Sequence, residues 1–139
     1  MGKEKQPFDF AQGERTSSVR FAGYAAVFGA VDRGGDVVRR GAFAVSLKRR
    51  GAVPLLWQHQ AGAVVGTIEH LSEDARGLRV IGTVADARAA RLVAGGTIEG
   101  LSFGYRVRDA AHAGARRELI DLELVEVSLV ARPMQPKAR

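Results

Sequence analysis

From Val19 to Val130 apolar and polar residues alternate at a period of two, in short bursts closed by Gly, Asp or a polar cluster. A period of two places alternate side chains on opposite faces of an extended chain, so each burst predicts a strand. The segments are "VRFAGYAAVFG" at 19–29, "VPLLWQH" at 53–59, "AVVGTIEHL" at 63–71, "GLRVIGTVA" at 77–85, "EGLSFGYRVRD" at 99–109 and "RRELIDLELVEVSLVARP" at 116–133. "DRGGD" at 32–36 reads as a turn or loop. Two inserts break the pattern. "GAFAVSLKRRG" at 41–51 sets Phe43 and Leu47 four apart before Gly51, and "DARAARLVAGG" at 86–96 opens on a capping Asp and stops at paired glycines. Both predict short helices. Many short strands with two helical inserts predict a compact, mainly β (α+β), mostly antiparallel barrel or sandwich.

The last segment carries a second constraint. Leu122 and Leu124 hold one phase of the alternation, whereas Val125, Val127 and Leu129 hold the other. An uninterrupted strand would send the two sets to opposite faces, so a bulge or bend near residue 125 is expected. Downstream of it Glu126 and Ser128 share a face. In "EGLSFGYRVRD", Leu101, Phe103, Tyr105 and Val107 face one way while Ser102, Gly104, Arg106 and Arg108 face the other. Ser102 therefore lies off the apolar face, and Gly104 is expected to leave an open patch where a ligand backbone could lie close. In "PLLWQH", His59 is expected to end a strand on the same side as Trp57.

The 139 residues suit one domain with a real core, and none is cysteine, which removes disulfides and thiolate metal sites. No apolar run nears the ~20 residues of a membrane span, and the N-terminus lacks a signal-peptide core, so a soluble, intracellular chain is expected. Residues 1–18 show neither strand nor helix period and are expected to be a flexible lead-in to a domain at 19–136, with 137–139 as a tail. The net charge of +6, from 21 basic and 15 acidic residues, makes nucleic acid or an acidic protein surface conceivable as a partner. The arginine pairs at 39–40, 49–50 and 116–117 belong to separate elements without interleaved aromatics, so a nucleic-acid partner is not expected.

Ser102, His59 and Glu126 together supply a nucleophile, a general base and an acidic orienter, the three parts of acyl-transfer chemistry. Each also has an ordinary structural reading: a solvent-facing serine, a satisfied polar group at a strand end, a charge that discourages strand addition. Spacing alone leaves both readings open.

The ordered series "FAGYAAVFG", "GAF..SL", "PLLWQH", "VVGTIEHLSEDARGLRVIGTV", "GTIEGLSFGYRV" and "ELIDLELVEVSLVARPMQP", running from about Phe21 to Pro136, resembles the tailed-phage (caudovirus) prohead proteases. The resemblance implies a closed antiparallel β-barrel of the herpesvirus-assemblin type with surrounding helices. It implies a serine endopeptidase that cuts scaffold or capsid-protein N-terminal segments inside the assembling procapsid, in the host cytoplasm. By position, His59 of "PLLWQH" matches the catalytic histidine and Ser102 of "GLSFGY" the nucleophile. Assemblins place a second histidine third; here Glu126 of "LVEVSLV" stands at a comparable distance after the serine. In assemblins an arginine near the end of the barrel helps hold the oxyanion site, which makes Arg132 of "VARPMQP" a candidate for that part beside its ordinary reading as a surface arginine before a proline; His70 and His112 fall outside the motifs and are expected at the surface. No cofactor, metal or membrane is implied. The expected partners are a major capsid protein or scaffold segment and, by likeness to assemblins, a second copy of the chain. With three residues after Pro136 no extended C-terminal packaging region is expected, which leaves terminal cleavage or direct capsid contact as routes into the shell. The competing reading is a catalytically silent capsid-assembly or scaffold-binding module of the same fold.

Overall fold

The computed structural model describes residues 18–49 and 51–132; the expected tail, nearly all of the lead-in, and Arg50 lie outside the described residues. Seven strands form one sheet: β1 (Val19–Val27), β2 (Asp36–Val38), β3 (Leu55–Trp57), β4 (Val64–Glu73), β5 (Gly77–Val84), β6 (Gly100–Ala113) and β7 (Arg116–Val130). Helix α1 (Ala44–Arg49) falls between β2 and β3, and α2 (Ala87–Ala94) between β5 and β6. The cap on α2 is the expected one, with Asp86 Oδ2 accepting from Ala89 N at 2.9 Å. In the 32–36 turn Asp32 Oδ1 accepts from Gly34 N at 2.8 Å and Asp36 N at 2.9 Å. The strand at Asp36–Val38 goes beyond the loop expected there. Three residues are too few to show a period, and the pairing comes from β7 rather than from local pattern.

Strand order is β1-β5-β4-β3-β7-β2, with β6 on the other edge of β7. Two pairings are parallel, β2 and β3 each with β7, so the sheet is mixed. The expected closed barrel is not found. Closure needs an unbroken circuit of ladder hydrogen bonds, and among the described residues β1 pairs with β5 and β6 with β7 but not with each other. A three-residue β3 joins the two halves, and the sheet curls into an open half-barrel. Phe43, Leu55, Leu78, Leu119, Leu122 and Leu124 are fully buried inside the curl, with Phe43 edge-on to Phe103 at 5.2 Å.

β2 covers the start of one edge of β7 and β3 its end, which leaves the backbone between them without a strand partner. An uncovered, buried amide is costly, so another element must serve it. The α1 region does so: Leu122 N donates to Ala42 O at 2.9 Å, and Leu124 N to the fully buried Ser46 Oγ at 2.9 Å. Val127 N donates to Pro54 O at 3.1 Å. Ser46→Ala strands the Leu124 amide and should destabilise the fold by about 1–3 kcal/mol in denaturant titration. A change within about 0.5 kcal/mol, the surface-substitution range, would contradict this accounting.

The bulge stands where the two apolar phases meet. Gly104 pairs with Glu126 and Tyr105 with Leu124, so Val125 is the extra residue of β7. It lets Leu122 and Leu124 join Val127 and Leu129 in one core despite their opposite phases.

Candidate active site

Residues directly opposite in a ladder share a face, and β7 is flanked on both edges at its C-terminal end. Leu56 of β3 and Ser102 of β6 both lie opposite Ser128, and Gly104 of β6 lies opposite Glu126. These five residues therefore line the face away from the core, while Leu55, Leu101, Phe103 and Val127 point inward. These polar residues are nevertheless buried: Ser102 is 5% exposed, Glu126 7% and Ser128 0%.

His59 reaches this face by a turn rather than along a strand. β3 ends at Trp57, and Gln58 and His59 adopt left-handed backbone at φ 50° and 62°. Side chains rarely accept that conformation, at roughly 1–2 kcal/mol per residue, so neighbouring contacts must hold it. Gln58 N donates to Leu129 O at 3.0 Å, Gln60 N to Trp57 O at 2.9 Å, and His59 N to Ser128 Oγ at 3.0 Å. The expectation that His59 shares a side with Trp57 is thus corrected: the left-handed turn carries it to the Ser128 side. There its Nδ1 meets Glu126 Oε2 at 2.5 Å, a short hydrogen bond.

The patch beside Ser102 is also corrected. A Cβ on Gly104 would lie 2.3 Å from Glu126 Oε2, so the space the glycine leaves is filled by that carboxylate and not by a ligand backbone. Ser128 Oγ donates to Glu126 Oε1 at 2.8 Å and completes the carboxylate's surroundings. Its part was not expected, although its place two residues after Glu126 on the same face was readable.

Among the described residues Ser102 Oγ has no hydrogen-bond partner, and it is not bonded to His59. Ser46 and Ser128, the other buried serines described, are both committed. A buried hydroxyl without a partner requires an explanation. Beside this face runs an open groove of about 520 Å³, walled by Leu56, His59, Val64, Tyr105, Arg106 and Glu126. Burial, and then the charges of Asp36 and Asp32, push the Tyr105 phenol above its ordinary value, so it stays protonated.

Arg132 is exposed in a bend just past β7, and Ala131 N before it donates to Gln58 Oε1 at 3.3 Å, which ties that end to the histidine turn. His70 and His112 are both exposed, and His70 bonds Ser72. Arg106 and Arg108 approach Glu123 at 3.9 and 4.0 Å. No group of acidic, histidine or cysteine side chains suited to a metal occurs among the described residues.

A family model described as caudovirus prohead serine protease matches residues 6–139. The chain belongs to this family. A "Prohead protease" of Enterobacteria phage HK97 is 38% identical over 94 residues, 63% of this chain, and the chain spans 42% of that relative's length. The fold is similar to the bacteriophage T4 capsid assembly protease, with TM-score 0.62 at 13% identity over 80% of each chain. It is also similar to the varicella-zoster virus protease, with TM-score 0.54 at 14% identity over 81% of this chain and 57% of that one. The half-barrel of this prohead protease family member is thus similar in overall fold to these two viral proteases, and its own ladder stays open.

Proposed function

We propose that this chain is a serine endopeptidase of prohead maturation whose catalytic domain spans 19–136. It cuts scaffold or capsid-protein N-terminal segments within the procapsid of a phage or phage-like particle, in the cytoplasm of a bacterial host. The observation that carries the reading is the His59–Glu126 contact on the same face as a buried Ser102 that has no hydrogen-bond partner among the described residues. Ser102 Oγ attacks the peptide carbonyl carbon while His59 Nε2 takes its proton, and Glu126 holds Nδ1–H and balances the imidazolium. The tetrahedral intermediate collapses as His59 returns the proton to the leaving amine. Water, deprotonated by His59 in turn, then hydrolyses the acyl-enzyme and frees Ser102. Arg132 supports the oxyanion as the tetrahedral intermediate forms. The substrate strand lies in the groove beside His59, and a second copy of the chain is a partner.

Co-expression with the cognate major capsid protein, followed by mass spectrometry of the capsid N-terminus, tests this reading. A shortened capsid chain that stays full length beside Ser102→Ala is expected. A full-length chain beside both would leave the silent assembly module as the better account.

A further inference from the structure

A hydroxyl offers one proton and two acceptor positions, and at Ser128 the partners decide how they are used. The His59 main-chain N–H can only donate, and it points at Ser128 Oγ from 3.0 Å. The Ser128 proton is therefore free for Glu126 Oε1 at 2.8 Å, and Oε1 must accept. Oε2 meets His59 Nδ1 at 2.5 Å. With the Ser128 proton directed at Oε1, an ionised Glu126 accepts at Oε2 from Nδ1–H, and the neutral ring then keeps its lone pair on Nε2. A backbone amide, whose donor role cannot change, is thus linked through Ser128 and Glu126 to the ring that has to receive the Ser102 proton.

We propose that Ser128 is a positioning residue that sets the imidazole tautomer of His59 through Glu126; this rests on the catalytic reading of His59, Glu126 and Ser102. The same hydroxyl holds the left-handed turn in place, because the His59 amide it accepts belongs to the second left-handed residue. Ring orientation and protonation pattern are thus held by one fully buried atom. β7 supplies both the acid and the group that orients it, two residues apart on one face.

The test uses the full chain with 15N-labelled histidine. In the unaltered protein, above the pH at which the ring is charged, the His59 imidazole should show a protonated Nδ1 and a bare Nε2. Ser128→Ala should give a mixture of tautomers and lower kcat on the order of 10- to 100-fold with KM nearly unchanged, the scale of a misplaced reacting group. Ser128→Cys, close in size and a weak donor, should fall between the two and serves if the alanine variant folds poorly. An unchanged tautomer in both variants overturns the proposal, as does a kcat loss accounted for wholly by a smaller folded fraction. Failure of the catalytic reading is distinguishable: cleavage that survives Ser102→Ala removes the nucleophile, whereas the ring spectrum of His59 reports on Ser128 with or without cleavage.

Discussion

Ser102→Ala should lower cleavage of a capsid N-terminal peptide by at least about 10⁴-fold, the scale seen when a serine nucleophile is removed. The same variant should melt no lower than the parent. Its hydroxyl is buried and has no partner among the described residues, so removing it breaks none of the hydrogen bonds described and relieves an unmet desolvation cost of about 1–3 kcal/mol. Loss of activity with neutral or raised stability is the signature of a group kept for chemistry. Ser46→Ala should behave in the opposite way, losing stability because its hydroxyl is bonded to Leu124 N. A Ser102→Ala protein that cleaves normally, or that unfolds as readily as Ser46→Ala, would remove Ser102 from the mechanism.

Glu126→Gln should preserve the fold and lower the cleavage rate by roughly 10³- to 10⁴-fold, since an amide beside Nδ1 favours the wrong tautomer and cannot balance an imidazolium. Gly104→Ala should approach the same loss by another route, because its new methyl would lie 2.3 Å from the Glu126 oxygen that meets His59 and push the carboxylate aside. Asp121→Asn and Glu123→Gln should stay within a few-fold of the parent. Glu123 faces Arg106 and Arg108, and Asp121 lies opposite Asp109 on β6, both on the far side of the Val125 bulge from His59. Peptide-cleavage rates for the four variants decide the matter. Full activity in Glu126→Gln beside a collapse in either rival would assign the acid elsewhere.

Much of this arrangement was legible because a two-residue period reports which face a side chain occupies. The phase break in "LELVEVSLV" placed a bulge or bend near residue 125, where Val125 is the extra residue, and the Asp86 cap and paired glycines bounded α2. What period cannot report is backbone handedness. Gln58 and His59 carry no glycine or asparagine to announce a left-handed turn, so extending the alternation put His59 on the Trp57 side. Nor does a glycine disclose what fills the space it leaves: Gly104 could have admitted a ligand, and it admits Glu126 instead. Closure of the sheet was an expectation carried by resemblance, and the pairing of the end strands, on which closure depends, is non-local. The two parallel pairings with β7 are invisible for the same reason, since three-residue strands carry almost no pattern of their own.

β7 touches the elements bearing both proton-transfer partners: β3, which delivers His59, lies along one edge, and β6, which bears Ser102, along the other. The long excursion between them, through β4, β5 and α2, adds no residue to the set of three. Tolerance to length change should therefore be uneven along the chain. Residues inserted in the connections around α2 would leave the β3–β7–β6 pairing in register, whereas one residue inserted between Glu126 and Ser128 would reverse the faces of everything beyond it. Divergence among relatives could proceed by growth of the excursion, with the fifteen residues of β7 kept to constant length.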